Sequence, residues 1–153
     1  MNEPIVTVVG NLTADPELRF LPSGAAMVRF SVASTPRYRD NASGQYKDGE
    51  PLFMRCTAWR GLAENIAESL QRGARVMVTG RLRMSHWQAE DGQKRQAIGL
   101  EVDEVGPSLR FATATVRKMS RSGGAGGDGF TPDNVPDDPW ASASPERPLG
   151  AAA

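Results

Sequence analysis

The residues best placed to do chemistry are Phe53, Arg55, Thr57 and Trp59, which share one parity of a run whose other members are Leu52, Met54, Cys56 and Ala58. Successive side chains of an extended strand point to opposite faces. The run therefore turns a small apolar set toward a core and presents two rings flanking a guanidinium on the other side. Every base offers a π-face and every nucleotide a negative phosphate, so such a surface suits unpaired nucleic acid. The pattern recurs. Arg81, Arg83 and Trp87 share a parity further along, and Arg37-Tyr38-Arg39 sets a ring between two cations. Tyr38, Phe53, Trp59 and Trp87 are the stacking candidates. Arg29, Arg37, Arg39, Arg55, Arg60, Arg81 and Arg83 are the candidates for phosphate contacts, with Lys94 and Arg95 as weaker ones. Any single ring is explained as well by core filling, and any single arginine by solvation. Four aromatics each beside an arginine are what argue for a face.

Other chemistry finds little support. His86 is the sole histidine, so a zinc site built on several His and Cys ligands is excluded, and no Ser-His-Asp arrangement with a nucleophile elbow is present. Glu101, Asp103 and Glu104 are carboxylates of the kind that bind magnesium, but Glu101-Val102-Asp103 alternates with an apolar residue and reads as a solvated strand face. No catalytic residue, metal or cofactor is expected. Cys56 lies on the core parity and reads as an inert small hydrophobe. The sharper alternative is that it meets its twin across a twofold axis and cross-links on oxidation. One cysteine, no amino-terminal apolar run and no 18-residue apolar stretch point to a soluble cytoplasmic protein without a membrane span.

The elements that must position these residues follow from periodicity. Ile5-Val6-Thr7-Val8-Val9 is β-branched and reads as a strand closed by Gly10-Asn11. Turn residues bracket the short segment Leu18-Arg19-Phe20. Val28, Phe30 and Val32 alternate with Arg29, Ser31 and Ala33 in a second long strand, and residues 35–51 read as a long polar loop. After the strand at 52–60 the period changes. Leu62, Ala63, Ile66, Ala67 and Leu70 predict a helix over 61–72, with Gly73 at its left-handed cap. Two further strands follow, from Arg75 toward Trp87 and from Gln96 to about Val105, folded into a hairpin at Asp91-Gly92. Gly106-Pro107 should interrupt the second. Leu109, Phe111 and Val116 belong to one more expected strand. This order predicts an all-β fold, a five-stranded OB barrel with one helix between the third and fourth strands and an extra carboxy-terminal strand. A sandwich of about seven short strands fits less well.

From Ser122 onward, 20 of the 32 residues are Gly, Pro, Ala or Ser, too few apolar groups to offset the entropy of ordering. The expected division is a folded domain over 1–118 and a disordered acidic tail over 119–153. The zero net charge conceals this asymmetry: residues 1–121 hold 17 Lys or Arg against 13 Asp or Glu, and the remainder hold 1 against 5. The body is basic enough to attract a polyanion.

Specific runs then resemble a known family. Val8-Val9-Gly10-Asn11-Leu12-Thr13-Ala14-Asp15-Pro16-Glu17-Leu18-Arg19-Phe20, Leu62-Ala63-Glu64 and Val78-Thr79-Gly80-Arg81-Leu82 resemble bacterial single-stranded DNA-binding proteins, and 51–60, 63–80 and 101–114 resemble the actinobacterial branch. The likeness covers about residues 4–118. It implies a homotetramer of OB domains, located with the bacterial nucleoid, that wraps single-stranded DNA in replication, recombination and repair. The family's stacking positions fall on Tyr38, Phe53, Trp59 and Trp87, and residues 109–116 would clamp neighbouring subunits. Most members end in aspartates followed by Pro-Phe, which dock on replication enzymes. The nearest equivalent here is the internal Asp137-Asp138-Pro139-Trp140, so the resemblance implies a paralogue with weak or altered enzyme contacts. The alternative is an OB accessory protein acting mainly through protein–protein contacts.

Overall fold

Alternating apolar residues build five long strands: β1 (Ile5–Leu12), β3 (Ala26–Ser34), β6 (Leu52–Trp59), β7 (Arg75–Gln88) and β8 (Lys94–Pro107). Three short ones accompany them, β2 (Glu17–Phe20), β4 (Arg37–Arg39) and β5 (Tyr46–Asp48). The computed structural model describes residues 2–120. These fall into a unit ending at Thr115 and the opening of another that begins at Val116. The expectations about the tail, including its disorder and Asp137-Asp138-Pro139-Trp140, lie outside the described residues.

The long strands close on themselves. β1 pairs with β7, β7 with β8 and β6 with β3, all antiparallel, while β8 meets β6 in parallel through Cys56↔Leu100 and Thr57↔Glu101. β3 returns to β1 through Asn11↔Ala33 and Leu12↔Val32. This is the five-stranded OB barrel, with β2 added to the outer edge of β3. Closure brings backbones together so tightly at Gly10 that a Cβ there would collide with the Ala33 carbonyl. Val28, Val32, Cys56, Ala58, Val76, Val78 and Leu100 fill the interior. Burying one valine or leucine stabilises by ~1.5–3 kcal/mol. A register slip of one residue in β6 would expose Cys56 and Ala58 and turn Arg55 inward, so this core also fixes which residues face out.

The helix α1 (Arg60–Ser69) buries Ala63 and Ile66 against the barrel. It is shorter than its 61–72 periodicity predicts. The end of β1 captures the next residues: Arg72 N–H donates to the Asp15 carboxylate at 2.7 Å and Gly73 N–H to the Leu12 carbonyl at 2.9 Å. Gly73 does adopt the left-handed conformation, at φ 85°.

Four other expectations need correction. The loop over 35–51 contains the hairpin β4–β5, closed by Asp40 N–H donating to the Gln45 carbonyl at 2.8 Å. β8 runs through Gly106 to Pro107, whose missing donor is harmless at a strand end. Leu52 and Ile98, on core parities of their strands, are exposed because both strands overhang the barrel. The extra strand over 109–116 is absent from the single chain. After Ser108 N–H bonds to the Arg75 carbonyl at 2.8 Å the segment is irregular and pairs with no strand of the barrel. Leu109, Phe111 and Val116 are exposed, with the guanidiniums of Arg75 and Arg110 at 5.6 and 5.5 Å from the Phe111 ring centre.

Candidate nucleic-acid interface

The four selected rings lie outside the core. Phe53 is 62% exposed, Tyr38 53%, Trp87 44% and Trp59 39%. Antiparallel pairing of β3 with β6 sets Met27 opposite Trp59, Arg29 opposite Thr57, Ser31 opposite Arg55 and Ala33 opposite Phe53. One outer wall thus carries Phe53, Arg55 and Trp59 beside Arg29. A groove of about 570 Å³ opens along it, lined by Arg29, Arg55 and Trp59 and, beyond the neighbouring β8, by Arg83 and Ser85 of β7. Cys56 lies directly beneath, 1% exposed, and burial pushes its thiol up to about 12. It is an inert core residue, and the cross-linking alternative has no exposed sulfur to act through.

The arginines divide into two sets. Arg29, Arg55 and Arg60 are exposed and, among the described residues, have no ion-pair or hydrogen-bond partner. Arg60 directly follows Trp59 and holds φ at +60°, the one non-glycine left-handed residue among the described residues. Such a conformation costs roughly 1–2 kcal/mol. The other set is engaged. Arg37 Nε donates to Asp48 at 3.0 Å and Arg39 Nε to the Gly44 carbonyl at 3.3 Å, within the hairpin that carries Tyr38. At its turn the Asp40 carboxyl is held below the ordinary value, first by Lys47 at 2.7 Å and then by Ser43.

Arg81 and Arg83 are engaged most heavily. Arg81 contacts Glu101 at 3.0 Å, Asp103 at 3.2 Å and Glu3 at 3.4 Å, and Arg83 contacts Glu101 at 2.9 Å and Glu3 at 3.0 Å. Beside this cluster the β7–β8 ladder shifts register at Thr79/Gly80. A bulge of this kind re-aims side chains. Gly80 is required there, since a Cβ would strike the Glu101 carbonyl. The Asp103 hydrogen bond is the first cause of an Arg81 pKa held above the ordinary value.

Sequence reasoning passed over two contributors. Tyr46, 69% exposed, stands opposite Arg39 in the hairpin. Glu3 precedes the first strand, where periodicity carries no information. The Glu101 contact was legible: a turn centred on Asp91 sets Arg81 and Glu101 opposite each other. Among the described residues no group of three His, Cys, Asp or Glu is arranged to hold a metal ion, and no helix is long and apolar enough to cross a membrane.

Comparison with known proteins gives the same direction. The model of the single-strand binding protein family matches residues 3–108. The chain is 57% identical over 150 residues to a single-stranded DNA-binding protein of Mycobacterium tuberculosis, covering 95% of this chain and 92% of that protein. It is 60% identical over 144 residues to one of Mycolicibacterium smegmatis, covering 90% and 87%. The crystal structure of a small single-stranded DNA-binding protein from Streptomyces coelicolor superposes with a TM-score of 0.62 at 36% identity, covering 71% of this chain and 97% of that one. A closed OB barrel, an outward row of rings and cations, and a family match across nearly the whole barrel agree: the chain belongs to the single-strand binding protein family.

Proposed function

We propose that the chain binds single-stranded DNA without strong sequence preference, stacking bases on Tyr38, Phe53, Trp59 and Trp87 and pairing phosphates with arginines of the same face. The observation that carries this reading is the outer wall where Phe53, Trp59, Arg29, Arg55 and Arg60 are exposed and, among the described residues, the three guanidiniums are unengaged. Stacking tolerates any base, and a cation reads only the phosphate, so this wall selects for single strands rather than for sequence. The names of the relatives point to the same ligand.

The role is non-enzymatic: the protein protects and organises exposed strands during replication, recombination and repair, in the cytoplasm at the nucleoid. Residues 1–118 form the binding domain. It works as a homotetramer with residues 109–116 at a subunit interface, a reading supported by the exposure of Leu109, Phe111 and Val116 together with Ile5 and Met77 on the barrel.

Titration of the full chain with dT oligomers of increasing length, followed by tryptophan fluorescence and by mass, tests this. Saturable quenching with complexes of four chains is expected. Unchanged fluorescence and mass at every length would overturn it and favour a module acting through protein contacts.

A further inference from the structure

Among the arginines of the outer face, Arg81 and Arg83 stand in a cluster where three carboxylates face two guanidiniums. Glu101 and Asp103 are built into β8, and Glu101 is pinned further by its pairing with Thr57 of β6. Glu3 is different. It precedes β1, belongs to no strand, and is steadied by Leu82 N–H donating to the carbonyl of the next residue, Pro4, at 2.9 Å. From there one carboxylate spans both arginines, Oε1 on Arg83 Nη2 at 3.0 Å and Oε2 on Arg81 Nη1 at 3.4 Å. Carboxylates and phosphates bind a guanidinium through the same N–H fork. Arg83 lines the groove beside Arg55 and Trp59, where a strand would pass.

We propose that Glu3 is an intramolecular competitor for the DNA phosphate, holding Arg83 and Arg81 out of the binding face. This rests on the DNA-binding reading above and deepens it. The strand engages the β3–β6 wall first, where no carboxylate must be displaced. Contact with β7–β8 requires exchange of the Glu3 carboxylate for a phosphate, so these two arginines add little to affinity or to its salt dependence in the parent protein. Glu3 thereby sets how much of the available cationic surface the strand uses.

The test is Glu3→Gln in the full chain, titrated with a dT oligomer at several salt concentrations alongside the parent. Glu104→Gln serves as a control, because Glu104 lies on the same strand as Glu101, is exposed, and has no partner among the described residues. Removing the Glu3 carboxylate, which makes two partly exposed ion pairs, should tighten binding about two- to fivefold at low salt. The log–log salt slope should steepen by less than about 0.7, because Glu101 still contacts both arginines and Asp103 still contacts Arg81. Adding Arg81→Gln and Arg83→Gln to Glu3→Gln should abolish the gain. Equal gains from Glu104→Gln would reduce the effect to net charge and overturn the proposal, as would an unchanged or weakened Glu3→Gln. If the parent itself does not bind dT, the DNA-binding reading fails. If the parent binds and the variant gains nothing, only the competitor role fails.

Discussion

The β3–β6 wall and the β7–β8 hairpin carry the same kinds of residue in the same alternation, cations leading to a large ring, yet their charges are in opposite condition. On the wall, Arg29, Arg55 and Arg60 have no partner among the described residues and lie beside Phe53 and Trp59. On the hairpin, Arg81 and Arg83 make five ion-pair contacts with Glu3, Glu101 and Asp103. The two regions also differ in support. The wall lies over Cys56 and Ala58 and is fixed by the core, whereas β7 and β8 beyond Met84 and Ile98 overhang the barrel with both faces exposed. Alternation decides which way a side chain points. Whether its charge is available is decided by what stands opposite in the next strand.

The comparison is broken most directly at the rings. Stacking one base on an aromatic contributes ~1–3 kcal/mol, a range established for single-strand binders of this kind. Trp59→Ala and Phe53→Ala should therefore lower dT affinity by about 5- to 150-fold, read by calorimetry so that loss of the fluorophore does not matter. Trp87→Ala should cost less, because a ring on the overhang must be ordered before its stack contributes, and that entropy offsets part of the gain. A larger loss at Trp87 than at Trp59 would mean that the hairpin, not the wall, anchors the strand.

Charge sharpens the same contrast at smaller cost. Each phosphate neutralised on a single strand contributes about −0.7 to the slope of log affinity against log salt. Arg55→Gln should flatten the slope by about that amount for each subunit, and Arg83→Gln should leave it nearly unchanged, since Arg83 is already neutralised by Glu3 and Glu101. Equal flattening by both variants would show that the ion pairs dissolve when DNA arrives and would erase the distinction between the two regions.

Much of this was legible in the chain. Alternation at Leu52 to Trp59 places Phe53, Arg55 and Trp59 outward, and the structure has them there, because a half-buried strand cannot reverse its faces without exposing Cys56 and Ala58. The helix and the hairpin turning at Asp91-Gly92 followed from period and turn chemistry, though the helix ends earlier and β8 runs further than expected. What escaped depends on long-range neighbours. No local pattern announces that Asp15 and the end of β1 draw Arg72 and Gly73 off the helix, or that Arg37 to Asp48 pairs into a hairpin of its own. The strand expected at 109–116 failed because a strand needs a paired neighbour as well as propensity, and no described strand pairs with this segment. Glu3 escaped because it sits before any periodic segment.

Arg60 offers the smallest effect and separates the wall's stability from its binding. A non-glycine residue at φ +60° is strained by roughly 1–2 kcal/mol, and glycine there is not. Against that gain, glycine loses more backbone freedom on folding, by roughly 0.5–1 kcal/mol. Arg60→Gly should therefore be as stable as the parent or more so, by at most about 1.5 kcal/mol, a rise of several degrees in thermal midpoint. Since Arg60 has no partner among the described residues, no hydrogen bond or ion pair among them goes with it. The same variant should bind dT more weakly and with a flatter salt response, because it deletes one of the wall's three unpaired cations. A protein that becomes more stable and less able to bind would mean that the left-handed arginine is kept for its ligand. Loss of stability would instead identify Arg60 as a structural residue at the strand-to-helix junction and remove it from the binding face.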